Sequence, residues 1–302
     1  MPTALSSVVR LSSSILAGLR TPILVLALTA IAYGCFVYSR LSNRNWDWSY
    51  FVTAGNEFVN PEAVRTSLYI WPNAGYDGQF YYRLALNPLS SDREAYGIIL
   101  DNPAYRQQRI LYPALAWAVT LGHVRFVPAA LVLINLVALC ALAWFAASLA
   151  QSSGRSPLWG LALALYPGFL LALSRDLTEI LAAALLLGAL WCLRRNWASA
   201  AAIALTLAVL ARETAGFVVA MIALTYALDR WRRRTPSFPA YVFVLPGAVA
   251  AAWQVFLYYR WQAVPLLSGQ DKIRLPLAAL WQFLSTHVGR ALARHWPPVC
   301  RH

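Results

Sequence analysis

The sequence predicts an all-α protein, a polytopic membrane helix bundle of about seven transmembrane helices with a large first extracytoplasmic loop that contains interfacial helices. Of the 302 residues, 60% are hydrophobic and only 12% are charged, and apolar runs repeat along most of the chain. One polar stretch, residues 41–125, interrupts the pattern and holds seven of the twelve acidic residues. We therefore expect a single membrane domain over residues 1–302, with its water-facing chemistry in that loop.

The transmembrane helices are predicted from the apolar runs, since each crossing needs about 20 apolar residues. The candidates are residues 21–38, 126–150, 157–173, 179–193, 198–211, 214–228 and 239–258. The segment before the first run contains Arg10 and Arg20, as the start of a secretory signal peptide would. No small-residue cleavage site follows that run, so we predict an uncleaved first helix.

Arginines predict the orientation of the bundle. The net charge is +13 and Lys272 is the only lysine, so the excess is almost entirely arginine at segment ends. Short loops rich in arginine stay in the cytoplasm, which places residues 229–234 and 194–195 inside. The alternation of helices then puts the N-terminus inside and the loop outside, provided that residues 110–122 do not cross. That segment is too short to span, and its proline and aromatic residues suit an interfacial helix.

This topology brings three clusters with carboxylates to the outer face. They are the loop, the turn at residues 175–179 and the pair Arg212-Glu213. Ionisable groups at membrane depth are costly unless they face a cavity or one another, and they often mark functional sites. We expect the functional site where the three clusters meet.

Within the loop, Asp77 lies in the run GYDGQFYY at residues 75–82. Gly75 and Gly78 let the backbone turn tightly and leave the carboxylate accessible. A purely turn-forming role for Asp77 is the alternative. The aromatic side chains of the run can pack on a sugar or a lipid, and Gln79 and Tyr81 are candidate substrate-binding residues.

A second candidate element of the loop is the pair Arg106 and Arg109. One helical turn separates them, so both guanidinium groups could bind one phosphate through forked hydrogen bonds. Arginines that merely face the membrane surface would give the same pattern.

Two blocks of the chain, in order and spacing, resemble the GPI mannosyltransferase II (PIG-V type) family. This family belongs to the GT-C superfamily of glycosyltransferases that use polyprenyl-phosphate sugars. Residues 77–85 and Tyr112-Pro113 are similar to its Trp-Asp-x-x-His-Phe-x-x-Ile-Ala and Phe-Phe-Pro motifs. Residues 166–181, 194–197 and 211–216 are similar to its Ser-Pro…Glu-Ser-Leu-Phe, Arg-Gly-Arg and Thr-Arg-x-Asn-Gly series. The resemblance covers roughly residues 71–260 and is closer to bacterial relatives of the family.

The chain also departs from the family's pattern. Tyr76 stands where the family has Trp, Phe80 stands where it has His, and the Arg-x-Asn-Gly element appears one residue longer at residues 212–216. Asp77 keeps its place. The donor sugar and the acceptor do not follow from the resemblance.

The resemblance implies an inverting transfer of a hexose, with mannose the family's sugar, from a polyprenyl-phosphate donor to a glycan or lipid acceptor of the cell envelope. Asp77 would be the general base, since an attacking hydroxyl must lose its proton. Arg106, with Arg109 or Arg212, would bind the phosphate and stabilise its charge as it leaves. The protein would lie in the bacterial inner membrane with its active site outside the cytoplasm, and no cofactor is implied.

Three further acidic residues have competing interpretations. Glu179 matches a family glutamate and is a candidate for the site wall, although an acid at a helix start is also stabilised by the helix dipole. Asp176, three residues earlier, is expected to cap that helix. Asp47, between two tryptophans, is the rival to Asp77 as base, and an interfacial aromatic belt also explains those tryptophans.

Several other classes of protein are disfavoured. The four histidines and four cysteines show no metal-binding or disulfide spacing, and no Walker loop or Rossmann fingerprint is present. The arginine excess is explained by topology, so no nucleic-acid partner is expected. The alternative function is a non-enzymatic transporter or an assembly partner in polysaccharide export, for which an internal repeat would be typical.

The C-terminal part of the sequence predicts least. Residues 266–275 are read as a polar loop, and residues 276–302 contain no confident span. Members of the resembled family usually continue with more helices, so two expectations stay open for residues 276–302, a shortened C-terminal region or a truncated one.

Overall fold

In the computed structural model the chain is mostly helical, with 66% of residues in helices and 4% in strands. The structure describes residues 3–64 and 68–268, with side chains from residue 21 onward. The predicted helical class is confirmed at this level. Predictions for residues 269–302, including Lys272, Cys300 and three of the four histidines, lie outside the described residues.

Twelve helices and four short strands follow one another in the described ranges. The helices are α1 (Thr3–Ser42), α2 (Pro61–Val64), α3 (Gly78–Leu86), α4 (Pro103–Gln107), α5 (Leu111–Thr120), α6 (Val127–Ser152), α7 (Trp159–Ala164), α8 (Pro167–Leu173), α9 (Glu179–Arg194), α10 (Ala198–Ala211), α11 (Ala215–Trp231) and α12 (Tyr241–Trp261). The strands are β1 (Ala54–Gly55), β2 (Ile70–Trp71), β3 (Glu94–Ala95) and β4 (Ile98–Ile99), and a 3₁₀ turn covers Trp48–Phe51.

Three helices are long and apolar enough to cross a membrane. They are Thr21–Ser42 within α1, α6 and α12, and they indicate a membrane protein. The α9, α10 and α11 helices begin and end within three residues of the predicted segments. They have 16, 14 and 17 residues, which gives about 21–26 Å of helix and is shorter than the roughly 30 Å hydrocarbon core. Seven crossings therefore stay a prediction.

The predicted third span, residues 157–173, is not one helix. It divides into α7 and α8, which are separated at Leu165 and Tyr166. Pro167 occupies the first position of α8, and proline supplies no backbone N–H and sterically excludes a helical residue before it. Tyr166 accordingly has an extended conformation, with φ −56° and ψ 127°.

The loop at residues 41–125 contains more regular structure than helices alone. Strands β1 and β2 pair in parallel and β3 and β4 pair antiparallel, although each has only two residues. The interfacial segment predicted at residues 110–122 forms α5, whose ten residues are too few to cross a bilayer. Leu121 ends α5 in a left-handed conformation with φ 51°.

The main core forms around α6, which packs against α1, α5, α7 and α9. Its one buried polar side chain, Asn135, donates hydrogen bonds to the Tyr112 hydroxyl at 2.8 Å and to the Leu177 carbonyl at 3.1 Å. These bonds fix α5 and the turn before α9 to the same level of α6. A second apolar cluster joins α9, α10, α11 and α12.

The end of α12 is attached to the loop by side-chain hydrogen bonds. The Trp261 indole donates to the Gln107 side-chain carbonyl at 2.6 Å, and the Trp253 indole donates to the Gln108 backbone carbonyl at 3.2 Å. The C-terminal end of α12 therefore lies beside α4, the short helix that carries Arg106.

Candidate functional site

Asp77 lies in a tight turn that packs directly on the connection between α8 and α9. Gly75 has φ +69°, a conformation that favours glycine. A Cβ on Gly78 would lie 2.4 Å from the Arg175 backbone oxygen and 2.7 Å from that of Val52, so only glycine fits there. The two glycines thus serve the turn that the sequence predicted, and they fix Asp77 at the start of α3.

Two arginines converge on the Asp77 carboxylate. Arg106 Nη1 lies 2.8 Å from Asp77 Oδ2, and Arg109 Nη1 lies 3.7 Å from the same oxygen. Both arginine side chains are about 95% buried, whereas Asp77 is 32% exposed. The carboxylate is therefore the part of this cluster that solvent or a ligand can reach.

The remaining nitrogens of the two arginines are occupied by other carboxylates. Arg106 donates from Nε and Nη2 to the two oxygens of Asp101, at 2.8 and 2.7 Å. Arg109 donates from Nε and Nη2 to the two oxygens of Glu213, at 2.8 and 2.6 Å. Forked pairs of this kind fix the orientation of a guanidinium group. The prediction that Arg106 and Arg109 bind a phosphate stays untested, but in this structure both forks already hold carboxylates.

Aromatic rings complete the surroundings of the two guanidinium groups. Arg106 lies over the Phe80 ring at 4.3 Å, and Arg109 lies over the Tyr105 ring at 4.7 Å. The hydroxyls of Tyr81 and Tyr105 accept hydrogen bonds from Arg109 at 3.1 and 2.6 Å. The cations are thus screened from water by rings on one side and paired with acids on the other.

The pKa shifts of Arg109 and Glu213 agree with a strong pair. Burial by itself would raise the pKa of Glu213, but the hydrogen bonds from Arg109 outweigh it and hold the pKa of this carboxyl below its usual value. Burial opposes the charge on Arg109 too, yet Tyr81 and Glu213 raise its pKa above the usual value. Both groups are ionised at neutral pH.

The two other predicted substrate contacts, Gln79 and Tyr81, are buried behind the site. The Gln79 side-chain carbonyl accepts from the Gly55 backbone N–H at 3.0 Å, and its amide donates to the Ala74 carbonyl at 3.0 Å. Tyr81 is 1% exposed, with its hydroxyl on Arg109. In the described structure Gln79 holds the turn before Asp77, and Tyr81 holds Arg109.

Glu179 and Arg212 form a second ion pair at the same end of the bundle. Glu179 is the first residue of α9, and Arg212 follows the last residue of α10. Their side chains are 37% and 25% exposed, so this pair is more accessible than the Arg109–Glu213 pair. Arg109, Asp77 and Glu179 all lie close enough to Tyr81 to shift the pKa of its hydroxyl. The structure therefore brings the three predicted clusters together.

Asp176 does not cap α9 as predicted, because Thr178 occupies the N-cap position. Asp176 is fully buried, with φ +49°, and Arg40 and Tyr112 are the polar groups that face it. Burial raises the pKa of its carboxyl well above the usual range. Its carboxylate oxygens have no hydrogen-bond partner among the described residues.

Asp47, the predicted rival base, lies apart from this cluster. It is exposed, and its carboxylate accepts a hydrogen bond from the Ser49 backbone N–H at 2.9 Å, which starts the 3₁₀ turn. With Trp46, Trp48 and Arg125 it lines a separate cavity of about 580 Å³. None of the salt bridges in the described residues involves Asp47.

Sequence reasoning missed two participants. Asp101 was not distinguished from the other acids of the loop, although its position five residues before Arg106 places both on α4 and its N-terminal approach. Arg175 was placed only at the outer face, whereas the structure stacks its guanidinium over Tyr76 at 4.2 Å. Neither contact follows from a motif, because each depends on how the loop folds back on α9.

Chemically, the arrangement offers an accessible carboxylate, that of Asp77, whose position is fixed by two buried arginines. No group of three or more His, Cys, Asp or Glu side chains within residues 3–64 and 68–268 could hold a metal ion. Comparison with protein-family models, curated proteins and solved structures finds no match for this chain.

Proposed function

We propose that the protein is a membrane glycosyltransferase of the GT-C type, which moves a hexose from a polyprenyl-phosphate donor to a glycan or lipid acceptor. The observation that carries this proposal is the Asp77 carboxylate, 32% exposed and held 2.8 Å from a buried Arg106. A general base must be ionised and fixed within reach of the hydroxyl that it deprotonates. Arg106 and Arg109 fix its position, with their Nη1 atoms 2.8 and 3.7 Å from Asp77 Oδ2.

In the proposed reaction Asp77 takes the proton of the acceptor hydroxyl as that oxygen bonds to the anomeric carbon. The bond between the anomeric carbon and the phosphate oxygen breaks, and polyprenyl phosphate leaves with the electron pair. Developing charge on the leaving phosphate requires a fixed cation near it. Gln79 and Tyr81 do not contact the substrate in this reaction. Gln79 holds the turn before Asp77, and Tyr81 holds Arg109.

A lipid-linked donor is supported by an apolar cavity beside the charged cluster. The cavity has a volume of about 640 Å³ and lies between α5, α10 and α12. Ile110, which follows Arg109, and Leu210, two residues before Arg212, both line it. A hydrocarbon chain in this cavity would keep its phosphate beside the charged cluster.

The test is transfer by purified protein in liposomes, with polyprenyl-phosphate mannose carrying a radiolabel and the glucose derivative as second probe. Membranes of the producing cells serve as the acceptor. Asp77→Asn keeps the size of the side chain and should lower transfer about 100-fold or more. Asp47→Asn is the matched control, since Asp47 is exposed and Asn can still accept from Ser49, and it should retain transfer.

The rival function, a transporter or an assembly partner in export, predicts no transfer of label by the unmodified protein or by either variant. If Asp77→Asn transferred label as the unmodified protein does, Asp77 would have no part in the chemistry. Sidedness provides an independent check: a cysteine at position 77 should react with an impermeant maleimide from outside the cytoplasm. Labelling only from the cytoplasmic side would refute the proposed orientation.

A further inference from the structure

Arg175 differs from the other arginines around Asp77 in having no acidic partner. Arg106 is paired with Asp101 and Asp77, Arg109 with Glu213, and Arg212 with Glu179. In the part of the chain that the structure describes, no carboxylate lies within salt-bridge distance of Arg175. A partly exposed cation without a counter-ion, at a site otherwise paired throughout, is available to an anionic ligand.

The position of Arg175 is fixed by packing, although no described carboxylate pairs with its guanidinium group. Its guanidinium lies 4.2 Å from the centre of the Tyr76 ring, and its backbone oxygen packs against Gly78. These contacts place it next to the residues on both sides of Asp77. Stacking uses the face of the guanidinium group and leaves its N–H edges free to donate.

We propose that Arg175, supported by Tyr76, binds the phosphate of the lipid-linked ligand, and that Arg106 and Arg109 position Asp77 instead. The inference rests on the proposed function, because it names the cation that receives the leaving phosphate. Two parallel N–H groups of the guanidinium edge match two phosphate oxygens. To bind the same anion, Arg106 or Arg109, whose side chains are buried, would first have to release a carboxylate partner, which is costly.

The experiment measures binding of polyprenyl phosphate and of the matching uncharged polyprenol to the full chain in phosphatidylcholine nanodiscs, by native mass spectrometry. The unmodified protein should bind the phosphate at least about tenfold more tightly. Arg175→Ala should lose that preference while it binds polyprenol unchanged, and Arg175→Lys should keep part of it, since a lysine retains the charge without the fork.

Arg44→Ala is the matched control, because Arg44 also stacks on a loop tyrosine, with its guanidinium 4.5 Å from the Tyr50 ring, and none of the described salt bridges joins it to Asp77. It should keep the full preference. Thermal unfolding of each variant identifies any loss of fold, and Arg175→Gln serves as a second neutral variant.

The outcomes separate the two proposals. If the unmodified protein prefers the phosphate and Arg175→Ala and Arg175→Gln prefer it equally, Arg175 is not the phosphate ligand, and the proposed transferase survives. If the unmodified protein shows no preference for the phosphate, the lipid-phosphate donor fails and the inference fails with it. If inorganic phosphate competes as well as polyprenyl phosphate at equal concentration, the lipid chain contributes nothing to binding, which supports an anion site and overturns the lipid donor.

Discussion

Removal of the Glu213 carboxylate should destabilise the fold, because it leaves Arg109 buried without its main counter-ion. The Arg109 and Glu213 side chains are 5% and 19% exposed, and two bonds of 2.6 and 2.8 Å join them. Breaking a buried pair by removing one partner costs about 3–5 kcal/mol. Arg109 keeps the hydroxyls of Tyr81 and Tyr105, so we expect the lower end, about 3 kcal/mol, for Glu213→Ala.

The assay is thermal unfolding of the protein in detergent, with near-ultraviolet circular dichroism as the signal. A loss of about 3 kcal/mol corresponds to a decrease of about 5 °C in Tm for a chain of 302 residues, because unfolding gains about 2.1 cal/mol/K of entropy per residue. Glu57→Ala removes an exposed acid of the same loop and should change stability by less than about 0.5 kcal/mol. The double variant Arg109→Met with Glu213→Leu should recover most of the loss, which gives a coupling energy above about 1 kcal/mol.

The pH dependence provides a second readout of the same pair. The folded-state pKa of Glu213 is lowered, so the stability from this pair is fully present above the unfolded pKa of about 4.3. It is lost as pH falls through the lower folded pKa. The difference between the unmodified protein and Glu213→Gln should be largest at pH 6–7 and decrease below about pH 4. A difference that does not change with pH, or a Tm for Glu213→Ala equal to that of Glu57→Ala, would refute the reasoning.

Two further substitutions probe the turn that holds Asp77. Gly78→Ala should cost about 1–3 kcal/mol and displace Asp77, because the new Cβ meets backbone oxygens at 2.4 and 2.7 Å; Gly247→Ala, with nothing within 4 Å, should be tolerated in the same unfolding assay. Asp176→Asn should gain stability over the unmodified protein as pH rises from about 4, since the raised folded pKa of Asp176 means that its contribution falls over that range. Equal pH profiles for the two proteins would show that the Asp176 carboxyl is not perturbed.

The helices were the most predictable part of the fold. Residues 198–211 were predicted as one segment, and α10 has the same bounds, because an apolar run between two charged turns leaves little choice of ends. Residues 157–173 were predicted as one segment, but the structure divides them into α7 and α8. Their apolar composition suggested continuity, although Pro167 favours a break. Strands β1 and β2 could not be predicted, since two residues show no alternation and their pairing depends on the loop's tertiary structure.

The sequence indicated which clusters of the candidate site lie together, but it did not indicate Asp101 or Arg175 and showed only part of the pairing. The spacing of Arg106 and Arg109 indicated a shared target, and the structure gives them one, the Asp77 carboxylate. Arg109 pairs with Glu213, which lies 104 residues later in the sequence. No local sequence pattern indicates so distant a contact. Free and occupied arginines look alike in a sequence, so the distinct position of Arg175 required the structure.

The hydrogen bonds from α12 to Gln107 and Gln108 connect the charged cluster to a long apolar helix. Helix α4 and the residue after it cannot move relative to α12 without breaking bonds from Trp261 and Trp253. Arg106 and Arg109 flank these two glutamines, so a change in the tilt of α12, a helix long and apolar enough to cross a membrane, would act on the spacing around Asp77. Helix tilt responds to the thickness of the bilayer. The length of the lipid chains would therefore affect the spacing of the arginines around Asp77.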